Sequence, residues 1–223
     1  MIPAFSIEKT QEILFEIKEM MAKGMIPLVR VYLDSPLAIK VTDIYKKYAD
    51  YMKDSAHSSF MRSKDGEMFS FPQLVRTFTT DESIAIKDYN HPKIIIAGSG
   101  MSNGGRILHH EINYLSDPKS TLLLTGYQSV GTLGRVLQEG TKNVRIMGQN
   151  VNVKAKVVSI SGYSGHKGSD DLINFIYGDA DTLKKVFVIL GEPKSSLFMV
   201  QKVRDNLAID AVAPAYGEYH LLG

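Results

Sequence analysis

Two short apolar bursts, Ile2-Pro-Ala-Phe5 and Ile26-Pro-Leu-Val-Arg-Val-Tyr-Leu33, stand on either side of an amphipathic stretch. Within that stretch Ile13, Leu14, Ile17, Met20 and Met21 recur at helical spacing, and Gly24 closes the run. Strand, helix, strand in that order is the unit of a parallel sheet, because parallel neighbours need a crossover and a helix supplies it. The same rhythm returns later. Asp34-Ser-Pro-Leu-Ala38 turns into a helical pattern running through Tyr45, Tyr48 and Met52. Strands are expected at Lys93-Ile-Ile-Ile-Ala97 and Thr121-Leu-Leu-Leu-Thr125, with helices over 104–115 and 131–138. Residues 151–160 alternate like one strand exposed on one face. A helix over 172–177, a buried strand over 185–190, a helix over 195–206 and a short strand over 209–214 complete the chain. Residues 53–90 are polar and weakly patterned. They read as a loop or helical excursion rather than sheet, anchored by Phe69, Phe71 and Phe78. The fold class is therefore α/β, a Rossmann-like parallel sheet with flanking helices. A soft boundary near 147–150 leaves an end segment of roughly 75 residues, short for an independent core.

Composition narrows the function classes. A chain of 223 residues, 44% hydrophobic and 22% charged, can bury a sizeable core. Its net charge of +2 excludes a strongly basic nucleic-acid binder but leaves room for a local basic groove. The absence of cysteine excludes disulfides and thiolate zinc sites. No apolar run approaches the roughly 18 residues that span a bilayer. The opening lacks the basic start and long apolar core of a secretory signal, so the expected location is the cytoplasm, away from membranes. Starting directly on a strand, the sequence reads as part of a longer chain.

Several segments carry residues suited to chemistry. Gly98-Ser-Gly-Met-Ser-Asn-Gly-Gly105 follows a strand and opens a helix, where glycines let backbone N–H groups approach an anion. The dinucleotide fingerprint fails: its third glycine arrives one residue late, and no acidic ribose ligand follows. A plain turn and a phosphate loop both remain. Asp34 lies at a strand's carboxyl end, and there a ligand contact and a helix cap stand even. Tyr127 can stack on a base and Arg135 can reach a phosphate, although a buried tyrosine and a solvated arginine explain them as well. His166 lies in a Gly/Ser-rich loop, with Ser169 as the expected helix cap and Asp170 and Asp171 in the first turn. From there it could give a hydrogen bond or proton to a phosphate oxygen, or simply decorate the surface. The serine-nucleophile elbow fails because His166 takes the final glycine position. None of the six histidines (57, 91, 109, 110, 166 and 220) falls in a two-histidine metal motif. His109 and His110 are adjacent and point to different helix faces.

In order along the chain, these segments resemble the β-CASP branch of the metallo-β-lactamase fold, a group of RNA-processing nucleases. The resemblance rests on Ile2-Pro-Ala-Phe-Ser-Ile-Glu-Lys-Thr-Gln-Glu12, Leu33-Asp-Ser-Pro-Leu-Ala38 and Ala97-Gly-Ser-Gly-Met-Ser-Asn-Gly-Gly-Arg106. It continues through Gly126-Tyr-Gln128, Gly131-Thr-Leu-Gly-Arg135, Ser164-Gly-His166 and Gly191-Glu-Pro193. It implies a β-CASP domain over 1–147 and the C-terminal segment of a metallo-β-lactamase domain over 148–223. The N-terminal, zinc-binding half of that domain is not in this sequence. By resemblance, His166 contacts the scissile phosphate and helps protonate the leaving group. The RNA- or phosphate-binding candidates are Lys9, Asp34, Ser35, Ser99, Gly100, Gly104, Gly105, Arg106, Tyr127, Arg135, Ser164 and Gly165. Leu190 occupies the position of a histidine zinc ligand, and Lys9 that of an arginine, keeping charge without the bidentate fork. No metal ligand and no cofactor is expected for this chain alone; zinc belongs to the complete enzyme. The implied partners are single-stranded RNA and the missing lactamase half, in the same chain or on a partner, and a homodimer stays open. The implied function is the RNA-binding cap and C-terminal portion of a zinc-dependent RNA nuclease. Its alternative is a stand-alone, non-catalytic RNA-binding pseudo-nuclease. A small-molecule phosphate enzyme on the same sheet would instead prefer a nucleotide or sugar phosphate to RNA.

Overall fold

Strands β1 (Ile2–Pro3), β4 (Lys93–Ala97), β2 (Arg30–Asp34) and β3 (Leu74–Arg76) lie side by side in that order, all parallel. The computed structural model describes residues 1–48, 51, 68–163 and 165–221. They gather into two compact units, Met1–Ser164 and Gly165–Gly223.

In the first unit the strands alternate their side chains between two covered faces. Val31, Leu33 and Ile96 pack with Ile13, Leu14 and Ile17 of α1 (Lys9–Ala22) and Ile39 of α2 (Pro36–Lys47). Tyr32 and Ile95 point the other way, onto Ile86 in the 3-10 turn Ile86–Asp88 that follows α3 (Thr80–Ala85). Tyr114 at the end of α4 (Ile107–Tyr114) packs on the same side. Covering both faces explains why these strands read as nearly continuous apolar runs. The sheet continues beyond β1: the Met1 amino group donates to Thr121 O (2.8 Å) and Leu123 N to Met1 O (2.9 Å). These belong to β5 (Thr121–Leu124), which pairs in parallel with β8 (Lys156–Ser159). Leu122, Leu124, Leu137 of α5 (Leu133–Gln138), Val144 and Val151 form their own buried cluster.

Three expectations need correction. The polar middle does contain sheet, since β3 pairs with β2 in the register Val31↔Leu74 to Leu33↔Arg76. A three-residue edge strand is too short to show a period. Of the aromatic anchors there, Phe69 is buried against Tyr45 and Phe71 packs on the core, but Phe78 is exposed. Met52, expected in the second helix, lies outside the described residues. Residues 151–160 are not one strand. β6 (Asn143–Ile146) and β7 (Gln149–Asn152) form an antiparallel hairpin turning at Met147 and Gly148, and β8 starts afresh at Lys156.

The second unit holds α6 (Ser169–Tyr177), β9 (Lys185–Phe187), α7 (Pro193–Leu207) and β10 (Asp210–Val212), with β9 and β10 parallel. Ile173, Met199, Val200, Val203, Ile209 and Ala211 are its core. The expected buried strand over 185–190 is shorter and only half-buried, and Ile189 and Leu190 are exposed. Two strands and two helices are too few to enclose an apolar strand on both faces.

Candidate functional site

Because strands β1 to β4 all run the same way, their carboxyl ends deliver loops 4–8, 34–35, 77–79 and 98–106 to one rim of the first unit. Open α/β sheets bind ligands at this end.

Loop 4–8 is fixed from below by two polar side chains that are almost fully buried. Thr10 Oγ1 donates to Phe5 O (2.7 Å), while Gln11 Nε2 donates to Ser6 O (3.2 Å) and Thr42 Oγ1 (2.9 Å). Ser6 Oγ then lies 3.5 Å from Ser35 Oγ. Ser35, not Asp34, caps α2: its hydroxyl accepts from Ala38 N (3.3 Å), and Pro36 opens the helix.

Loop 98–106 folds on itself, with the Gly98–Ser99 peptide cis. Ser99 N donates to Gly104 O (3.0 Å), Asn103 N to Ser99 Oγ (3.0 Å) and Ile107 N to Gly98 O (3.1 Å). A Cβ at Gly100 would stand 2.8 Å from the Phe5 ring, and one at Gly105 (φ +74°) 2.4 Å from Gly98 O. Those two glycines serve close approach. A Cβ at Gly104 would meet nothing within 4 Å, so packing does not require glycine there. The loop after β5 locks onto this one. Gln128 Nε2 donates to Gly100 O (3.1 Å) and Gly134 N to Met101 O (3.1 Å). Arg135 binds Gln128 O (3.3 Å) and Glu139 (2.6 Å), bracing the loop that presents the exposed Tyr127.

Asp34 is fully buried, so it does not touch a ligand directly. Its carboxylate accepts from Thr77 (2.6 Å), Ser83 (2.6 Å), Arg106 (2.8 Å) and His110 Nε2 (2.7 Å). A carboxylate only accepts, so Nε2 of His110 carries the proton in this contact. Burial alone would raise the Asp34 pKa, but the bonds from His110, Ser83, Thr77 and Arg106 outweigh it and hold the group at about 2. Arg106 also donates to Thr77 O and Phe78 O (3.1 Å each), tying loop 77–79 to loop 98–106. Sequence reasoning singled out Asp34 and Arg106 but missed Thr77, Ser83 and His110. One signal was available: Arg106 and His110 are four apart, on one helix face. Next to His110, Glu111 is buried and accepts from Ser102 Oγ (2.5 Å), and burial pushes its carboxyl up to about 7 against that bond.

The structure thus brings Asp34, Ser35, Ser99, Gly100, Gly104, Gly105 and Arg106 together on one rim, with Tyr127 and Arg135 on the loop locked to it. Lys9 Nζ donates to Glu12 (2.6 Å) and to the main-chain carbonyl of Tyr163. Ser164 lies outside the described residues. Gly165 and His166 begin the second unit, both exposed. The helix cap there is Gly168 rather than Ser169: Gly168 N donates to Asp171 (3.3 Å), while the Ser169 hydroxyl accepts from Lys202 (2.8 Å).

A family model of the Beta-Casp domain matches residues 10–137, more than half of the chain. The chain belongs to the β-CASP family. A second model, the Zn-dependent metallo-hydrolase RNA specificity domain, matches residues 150–214. Among β-CASP relatives, Ribonuclease TTHA0252 of Thermus thermophilus is 34% identical over 88% of this chain and 44% of its own length. The RNase J-like protein of Methanocaldococcus jannaschii is 32% identical over 97% of this chain and 48% of its own. Transcription termination factor FttA of Methanosarcina mazei is 28% identical over 95% and 34%. The chain spans less than half the length of these relatives.

A zinc ion does not fit the described residues. Among the described residues no three His, Asp or Glu side chains come together as ligands. The leucine side chain at position 190 has no donor atom for a metal.

Proposed function

We propose that this chain is the RNA-binding cap and C-terminal portion of a cytoplasmic, zinc-dependent β-CASP nuclease. Residues 1–147 form the cap, and 148–223 are the returning part of the metallo-hydrolase domain. The observation that carries this reading is the pair of consecutive matches, a Beta-Casp domain followed by an RNA specificity domain. In this reading single-stranded RNA lies along the rim, its phosphates near Gly104, Ser6 and Ser35, with a base stacked on Tyr127. Exposed His166 reaches a phosphate oxygen and supplies the leaving-group proton when metal ligands from outside these residues complete the enzyme. Alone, the chain grips RNA without cutting it.

Binding of a labelled single-stranded oligoribonucleotide, measured across salt concentrations, tests the proposal. Affinity is expected to rise steeply as salt falls, and Tyr127→Ala to weaken it by about 1–3 kcal/mol. Absence of binding at low salt overturns the reading. Leu190 favours a second one, a natural RNA binder without catalysis: it is fully exposed and sits at φ 63°, at the position where the family resemblance implies a histidine ligand. A native gene product close to 24.8 kDa would mean a natural non-catalytic protein or a split-enzyme subunit, and a much larger one a fragment of a multidomain nuclease.

A further inference from the structure

Lys9 opens α1 with its charge turned toward the protein itself. Its side chain is only 16% exposed. Of its three N–H donors, one goes to Glu12 Oε2 at 2.6 Å and another to the carbonyl of Tyr163, 154 residues away. The ammonium also lies 5.4 Å from the centre of the Tyr163 ring, within cation–π range. A phosphate approaching this ammonium would meet the Glu12 carboxylate on the same atom.

We infer that Lys9 is a positioning residue, a latch that holds the segment leading into His166, rather than a phosphate ligand. The inference rests on the phosphate role proposed above for His166. The latch acts through chain connectivity. His166 follows Tyr163 by three residues. A pinned Tyr163 therefore ties the start of that stretch to α1. Ordering this approach in advance removes conformational freedom that RNA binding would otherwise have to remove. Because the acceptor is a main-chain carbonyl, the latch fixes the backbone whatever the ring contributes. Arginine at position 9 would keep a donor and a cation for the ring, whereas methionine keeps the apolar stem and removes both.

Amide hydrogen exchange on the full chain, read for Lys9→Met and Lys9→Arg, tests the latch. In Lys9→Met, amides in 161–168 are expected to exchange at least tenfold faster, with β2 and α2 unchanged, and Lys9→Arg is expected to restore protection. The salt dependence of RNA binding separates the competing role. Losing a phosphate contact lowers the slope of log K against log salt by about 0.7. Losing a latch weakens binding and leaves the slope unchanged. Unaltered exchange at 161–168 overturns the latch whatever the RNA result, as does a reduced slope. If no variant binds RNA, the RNA reading falls while the exchange result still decides whether Lys9 holds the segment.

Discussion

Asp34 gathers four side-chain donors on one buried carboxylate, and its neighbours are arranged for it rather than for a ligand. Removing one partner of such a buried charge cluster costs about 3–5 kcal/mol, so Asp34→Ala is expected to lose most of the first unit's stability in urea denaturation. The pH dependence follows from the depressed pKa. An unfolded aspartate titrates near 3.8 and the folded one at about 2. The carboxylate's stabilisation is thus complete above the first value and is lost as pH falls through the second. The stability gap between parent and Asp34→Asn should shrink across that interval, and a constant gap would contradict it. Glu111 has the opposite sign. Its folded pKa is about 7 against an ordinary 4.5, so its favourable contribution is complete below 4.5 and is lost as pH rises through 7. Glu111→Gln should therefore gain in melting temperature relative to the parent between pH 5 and pH 8. A variant that tracked the parent throughout would mean that the folded Glu111 pKa is not raised above its ordinary value.

At the scale of elements, the β6–β7 hairpin turns through Met147 (φ 48°) and Gly148 (φ 84°), both left-handed. A two-residue turn with positive φ at both positions favours Asn-Gly, so Met147 is the ill-fitting member. Met147→Asn should stabilise the chain by about 1 kcal/mol, the low end of the strain of a non-glycine residue in that region. Gly148→Ala should destabilise it by a similar amount, and both read directly as shifts in urea midpoint. This hairpin marks where sequence reading stopped. Long apolar runs and their helices were legible because β2 and β4 are covered on both faces and α1 shows a full stripe. β3 and β6 were not, since three or four residues carry too little period. At the site, the glycine loop and Asp34 stood out as a strand-end pattern. The partners of Asp34 did not, because Thr77, Ser83 and His110 come from distant segments that only the parallel register of β2, β3 and β4 brings together.

Across the whole molecule the two units are unequally built. The first encloses a sheet between helices and adds a second buried cluster around Leu122 and Leu137. The second relies, among its described residues, on six buried apolar side chains around a two-stranded sheet. So small a core is marginal by itself, and segments of low stability open first. Amides of Val186 and Val200 should therefore exchange through openings of lower free energy than those of Val31 and Ile96. Equal protection would instead mean one cooperative unit. RNA then becomes a probe of where binding occurs, because a ligand stabilises only the part that binds it. With RNA at a hundredfold excess over Kd, the binding unit gains about 2.7 kcal/mol of protection. The rim reading requires that gain in the first unit, at β2 and β4 and at the amides of loop 98–106. A gain confined to β9, α7 and β10 would move RNA recognition to the second unit. The glycine loop, Ser35 and Arg106 would then serve only to close the carboxyl end of the sheet.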